Sequence, residues 1–341
     1  MDRKLMPILV DRGALGYHSL QGAKYQRTEP RLEVYQSKVD CINLGLINNM
    51  PDPALQATEQ QFVKLLDSAA KGTLVHLSLY ALPNLPRTDW GQSYLDRSYH
   101  NISDLWNSHL DGLIVTGTEP RASNLRDEPF WASLAELLDW AEDNTISTIL
   151  SCLAAHAAVL HIDDIGRAAL DEKRFGIFEQ TKVSNHPMLK GAPSRLQFPH
   201  SRWNEIKEDA LISRGYTILT KSAEAGVDSF AKQRKSLFIF FQGHPEYEAR
   251  TLLGEYRRDI GRFLRGESDT YPNMPQGCFD EETAAAFIAF QERAISDRRE
   301  ELLATFPTVL ATRGLKNTWQ LAARRIYSNW LSYISAQKAQ G

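Results

Sequence analysis

Three residues in this sequence have the chemistry of a nucleophile, a base and a supporting carboxylate, and they occupy two stretches of similar shape. "TISTILSCLAAHAAVL" (145–160) is an apolar run that ends at a thiol, Cys152. "SLFIFFQGHPEYEARTLLGEYRRD" (236–259) is an apolar run that breaks at Gly243 and continues as His244-Pro245-Glu246. A cysteine nucleophile needs a base within hydrogen-bond reach, and the base needs an orienting partner. Glu246 suits that third role, fixing the tautomer of His244 and stabilising its imidazolium, while Pro245 restricts the backbone between them. At a sharp turn from strand into helix, Cys152 would face backbone N–H groups that favour the thiolate. The same groups, beginning with the N–H of Leu153, would hold the oxyanion of a tetrahedral intermediate. Each piece also has a plainer reading. Free cysteine is commonly a buried filler, and His-Pro-Glu also serves as a capped strand end. At the ends of two apolar strands, the combination favours a site.

The elements around these residues follow an alternating pattern. "INLGLI" (42–47), "LVHLSLYAL" (74–82), "DGLIVTG" (111–117) and "STILSC" (147–152) read as strands. Between them, "ALQATEQQFVKLLDSA" (54–69) places Leu55, Phe62, Leu65 and Leu66 on one helical face, and "PFWASLAELLDWAEDN" (129–144) is a helix with Pro near its first turn. Such alternation predicts an α/β fold, a mostly parallel sheet flanked by helices, with functional groups at the carboxyl ends of the strands. From about 175 to 230 the segments lean to β without long helices between them, and the tail is helical: "EARTLLGEYRRDIGRFL", "EETAAAFIAFQERAISDRREELLA" and "NTWQLAARRIYSNWLSYI". The Pro- and Gly-rich "SDTYPNMPQGCFD" (268–280) reads as a linker. The division expected is an N-terminal extension over 1–40, packed on the outside, an α/β core over 41–267 and a helical region over 268–341 packing on that core.

Composition narrows the function. The chain has 341 residues, more than one hydrophobic core usually serves, with a net charge of −3 and no Lys/Arg block. A nucleic-acid partner needs a clustered basic face, so it is disfavoured. The start, "MDRKLMPILV", has an apolar run too short for a signal peptide, and no stretch approaches the roughly 18 apolar residues of a membrane span. Three cysteines, Cys41, Cys152 and Cys278, without metal-ligand spacing, make neither a disulfide framework nor a metal site. The reading is a cytoplasmic protein with reduced thiols and no metal.

"SCLAAHA", "FPHSR", "GHPEYEARTLLGEYRRD" and "NTWQLAARRIYSNWLSY" together resemble the homoserine O-acyltransferases of methionine biosynthesis, the homoserine O-succinyltransferase family, over about 42–333. The resemblance implies a class I glutamine amidotransferase-like fold. It implies Cys152 as acyl-accepting nucleophile, His244 as general base and Glu246 as its support. It also implies Lys173, Ser201 and Arg258 as substrate-binding residues, with Arg258 holding the amino acid's carboxylate; a guanidinium fork pairs both carboxylate oxygens. The substrates would be succinyl-CoA and L-homoserine, the assembly a homodimer, and no cofactor beyond the co-substrate is implied.

Three positions depart from the family pattern. After "NNMP" the chain continues Asp52-Pro53-Ala54, where the family more usually has a lysine pair assigned to the oxyanion hole. Backbone donors around Asn49 are therefore expected to join Leu153 in that role. His156 stands where glutamine is common; it reads as a core residue of its helix, with a place lining the site as the alternative. Arg121 falls on the position that sorts acyl donors, where glycine goes with succinyl-CoA and glutamate with acetyl-CoA. An arginine there would pair with succinyl's carboxylate. Acetyl-CoA as donor and L-serine as acceptor remain open, serine being one methylene shorter. A glutaminase-type amidohydrolase would use the same three residues, although it usually shows Gly-x-Cys-x-Gly, which "TILSCLAAHA" lacks. A scaffold that keeps the fold without turnover is the non-enzymatic alternative.

Overall fold

The computed structural model describes residues 8–11 and 41–340. Ten strands form one sheet: β1 (Ile8–Asp11), β2 (Cys41–Ile47), β3 (Leu74–Tyr80), β4 (Gly112–Val115), β5 (Ser147–Ser151), β6 (Ala168–Lys182), β7 (Arg195–Glu205), β8 (Thr217–Ser222), β9 (Gly226–Gln233) and β10 (Leu237–Phe241). The helices are α1 (Asp52–Ala69), α2 (Asp89–Ser98), α3 (Ile102–Leu105), α4 (Trp131–Asn144), α5 (Leu153–Asp163), α6 (Glu208–Ser213), α7 (Thr251–Leu264), α8 (Glu281–Ser296), α9 (Thr308–Arg313) and α10 (Gln320–Lys338). The spatial order is β1-β3-β2-β4-β5-β10-β9-β8-β6-β7. Strands from β1 to β10 in that order run parallel, and β9, β8, β6 and β7 add an antiparallel wing.

β4, β5 and β10 are buried at every position, as continuous apolar runs must be when helices cover both faces. Side chains alternate along β10: Ile239 and Phe241 join one apolar layer, Phe238 and Phe240 the other. The first layer is closed by α1, α7, α8 and α10 through Phe62, Tyr256, Phe287 and Trp330; the second by α4, α5 and α6 through Leu137, Ala157 and Leu211. The helical tail is thus part of the main core. Trp330 donates its indole N–H to Ser147 Oγ at the start of β5 (2.9 Å), and Trp319 donates to the Tyr247 carbonyl (2.8 Å).

Three details differ from the expectations. Ile8–Asp11 supplies an edge strand, β1, parallel to β3, although it lies in the segment read as an outside extension; the remainder of 1–40 lies outside the described residues. The long tail helix stops at Ser296 and resumes as a 3-10 turn over Glu300–Thr305, interrupted where "SDRRE" offers no apolar face. The segment 268–280 is more than a spacer: Gln276 bridges Gly176 of β6, and Tyr271 is buried. A Cβ on Gly176 would come within 2.5 Å of the Gln276 backbone, so only glycine admits that approach.

Candidate active site

β5 and β10 are neighbours in register, Ser151 opposite Phe241, so the residues that follow them emerge side by side. Cys152 N–H donates to the Phe241 carbonyl (2.8 Å), which pins the turn. Cys152 itself takes φ 53° and ψ −115°, a conformation L-residues rarely adopt. Such strain costs of order 1–3 kcal/mol and holds the thiol out at the N-terminus of α5. The Cys152 carbonyl closes the first helical turn by accepting from Ala155 and His156. Leu153, at the first helical position, has no i−4 partner for its N–H. Gly117, just beyond β4, presses on this point: a Cβ there would lie 2.9 Å from Leu153 N.

His244 is 6% exposed and Glu246 6% exposed. His244 Nδ1 donates to Glu246 Oε1 (2.8 Å), which also accepts from Ser151 Oγ (3.2 Å). Cys152 lines the same cavity wall as His244 and Glu246, near enough for its sulfur to act on the imidazole, and the three form a candidate triad. Burial works against a charged imidazole here. The Glu246 carboxylate and the Cys152 sulfur outweigh it and hold the His244 pKa well above its ordinary value. Tyr247 stacks on the imidazole at 4.1 Å and 16° between planes. Gly243 is required before it, since a Cβ would meet Asp228 Oδ1 at 2.6 Å and His200 Nε2 at 2.9 Å.

The triad opens on a cavity of about 470 Å³, a volume suited to a small-molecule ligand. One part of its wall carries the expected binding residues. Lys173 Nζ pairs with Asp259 (2.9 Å) and lies over the Phe175 ring. Arg258 pairs with the same Asp259 (2.8 Å). Burial alone would raise the Asp259 carboxyl, but Lys173 and Arg258 hold it below the usual range. Ser201 Oγ donates to Glu255 Oε2 in a short contact, and the Tyr247 hydroxyl donates to Glu255 Oε1 (2.5 Å). Burial and Glu255 keep that phenol protonated, its pKa well above ordinary. Arg262, a turn further on, forks onto Glu119 (2.9 and 3.0 Å) and ties α7 to the loop after β4. Lys173, Ser201 and Arg258 therefore share one cavity with Cys152, His244 and Glu246.

Two expected residues are not brought to this site. Asn49 is 4% exposed and its backbone N–H is spent on Thr116 Oγ1 (2.8 Å). Its side chain binds the Thr116 carbonyl and Leu82 N–H, so Asn49 ties two loops together and has no free backbone donor for an oxyanion. Arg121 is exposed, and the cavity wall takes Glu119 and Pro120 from its loop instead. The physical reason is Glu128: its Oε1 accepts from Arg121 N–H (2.5 Å) and Ala122 N–H (2.7 Å), turning the backbone inward and leaving the Arg121 side chain outside the wall. His156 is 3% exposed, as a core residue of α5, and reaches the cavity wall too. Its Nε2 donates to Gln242 Oε1 (3.0 Å), an oxygen that also accepts from Ile206 N–H. Burial, with Arg202 and Arg167 adding to it, lowers the His156 pKa to about 3, so the ring is neutral.

The sequence reading missed Tyr247, Glu255, Asp259, Arg167 and Arg202, all of which line the cavity. Glu255 and Asp259 carried a usable signal, because carboxylates four apart share a helical face. Arg202 carried none. Its guanidinium is committed to His200 Nδ1, the Asn204 carbonyl and the Ala225 carbonyl, partners that only the antiparallel wing assembles.

The sequence profile of the homoserine O-succinyltransferase family matches residues 7–340. A homoserine O-succinyltransferase of Rhodopseudomonas palustris is 46% identical over 87% of this chain and 89% of its own length. One of Methylorubrum extorquens is 45% identical over 87% of this chain and 88% of its own. Among solved structures, a glutamine amido transferase from Methylobacillus flagellatus aligns with 86% of this chain and 95% of its own, at TM-score 0.49 and 15% identity. A profile match across nearly the whole length, together with relatives of this identity and coverage, places the chain in the homoserine O-succinyltransferase family.

Proposed function

We propose that this protein moves a succinyl group from succinyl-CoA to the side-chain hydroxyl of L-homoserine through an acyl-enzyme on Cys152. The observation that carries the reading is the opening of the triad and of the Lys173, Ser201 and Arg258 cluster onto one cavity. The family and the names of its relatives support the donor and acceptor.

In the first half-reaction the Cys152 thiolate attacks the thioester carbonyl, and the oxyanion lies at the N-terminus of α5 beside Leu153. Collapse expels the CoA thiolate, which takes the proton held on His244. Acylation removes the sulfur anion that helped raise the His244 pKa. The imidazole, its proton gone to CoA, therefore stays neutral and is available as the base that the second half-reaction requires. L-Homoserine binds with its carboxylate on Arg258 and its ammonium toward Glu255 and Asp259. His244 takes the hydroxyl proton, the oxygen attacks the acyl-cysteine, and loss of the Cys152 thiolate yields the ester. Both half-reactions balance with no resident cofactor. Water must be kept out, or the acyl-enzyme hydrolyses.

The test is intact-protein mass spectrometry. Succinyl-CoA alone should add one succinyl group to Cys152 and release one equivalent of CoA thiol, and L-homoserine should discharge it. A chain that stays unmodified, or Cys152→Ala protein that acylates equally well, would overturn the mechanism. Acetyl-CoA and L-serine in the same assay rank the alternatives. One methylene discriminates the acceptors by only ~1–3 kcal/mol, so a ratio of about 10- to 200-fold is expected.

A further inference from the structure

We propose that Arg167 receives the terminal carboxylate of the acyl group, a role that rests on the reading of Cys152 as acceptor of succinyl from succinyl-CoA. Arg121, the residue that sequence position suggested for this task, is exposed and does not line the cavity. Arg167 lies in it, on the short segment between α5 and β6, half-buried.

Five cations line the cavity: Lys173, Arg167, Arg202, Arg258 and Arg262. Lys173 and Arg258 share Asp259 as an ion-pair partner, Glu255 lies 4.0 Å from Lys173, and Arg262 is paired with Glu119. Arg202 is buried, with its guanidinium spent on His200 and two backbone carbonyls. Arg167 differs from all four. Among the described residues its only hydrogen bond is a long one from Nη2 to the Ser123 carbonyl (3.4 Å), and no carboxylate lies within ion-pair distance. A partly desolvated guanidinium with free N–H donors is a ready receptor for a carboxylate, which its fork binds through both oxygens.

Arg167 follows α5, the helix whose N-terminus carries Cys152, and lines the same cavity. The groups whose charge it feels are Glu128 and Cys152, and it acts in turn on His156, one turn into α5. The groups around Arg258 are Asp259, Glu255 and Glu119. The two guanidiniums thus enter the cavity from different elements, Arg167 from the segment after α5 and Arg258 from α7. Among the described residues Glu128 makes no ion pair with Arg167, and its Oε1 accepts instead from the Arg121 and Ala122 N–H groups. The Arg121 loop still matters: its Ser123 carbonyl holds Arg167 and its Glu128 sets the local field, so substitutions in it act on the donor through Arg167.

Acylation of Cys152 by succinyl-CoA and by butyryl-CoA, in which a methyl replaces the carboxylate, tests this. Rapid-quench mass spectrometry would be applied to the wild type, Arg167→Gln and Arg167→Lys. The wild type should prefer succinyl-CoA. In Arg167→Gln the succinyl/butyryl ratio of kcat/KM should fall about 10- to 100-fold, and in Arg167→Lys it should be partly restored. A ratio unchanged in Arg167→Gln, including one in which both donors lose rate together, overturns the assignment. Wild-type protein that butyryl-CoA acylates as well as succinyl-CoA does overturns it without any variant. Failure of wild-type Cys152 to acylate with either donor removes the acyl-enzyme reading itself, a distinguishable result.

Discussion

Glu246 presents two oxygens, and the triad uses one. Oε1 accepts from His244 and Ser151, while Oε2 is buried without a hydrogen bond among the described residues. Its negative charge is the largest of the influences that raise the His244 pKa against burial. Glu246→Gln should therefore lower the imidazole pKa and reduce kcat by about 10²- to 10⁴-fold, as loss of an oriented acid–base pair does. The pH–rate profile of the variant, with the imidazole shift followed by NMR, checks this; an unshifted imidazole would contradict it. The stability sign follows. A raised folded-state pKa contributes stability that is complete below the ordinary histidine range and disappears as pH climbs through the raised value. The stability gap between wild type and Glu246→Gln should thus narrow toward alkaline pH.

Elements decide where such residues can work. The loop after β4 meets the first turn of α5 at Gly117, with no room for a Cβ against Leu153 N. Gly117→Ala must push loop and helix apart at the N-terminus of α5, where the proposed mechanism puts the oxyanion. Because displacements near 1 Å cost on the order of 10²-fold in rate, a fall in kcat of about 10-fold or more is expected, with little change in Tm. A fall in KM alone would be the wrong outcome. This scale also explains what the sequence disclosed. Cys152 and His244 were legible because each closes a continuous apolar run, and such runs become adjacent parallel strands. Asn49 and Arg121 were not, because a loop's aim is set by the groups that take its N–H bonds. Glu128, seven positions beyond Arg121, and Thr116, on another strand's end, carry no local sign of that.

At the scale of the whole molecule, the α/β alternation, the β-rich middle and the helical tail were readable from periodicity. The depth to which the tail enters the core was not, since an amphipathic helix has the same pattern whether it docks on a finished domain or completes one. Here it completes one: Trp330 is fully buried and bonded to Ser147, and Tyr327 and Trp319 support the triad's side of the sheet. Trp330→Ala should cost about 3–5 kcal/mol, read as a lower urea midpoint with an unchanged slope. A midpoint within error of wild type would show that the tail merely leans on the surface.

That indole contact spans 183 residues of chain. Ribosomes deliver polypeptide from its amino end at roughly 5–20 residues per second. Ser147 is therefore added to the chain about 10–40 s before Trp330 is, at that pace. Throughout the interval the nascent sheet displays greasy, unroofed surface, a natural substrate for holding chaperones. Catalytic competence should arrive late and abruptly, once the closing helix has been translated.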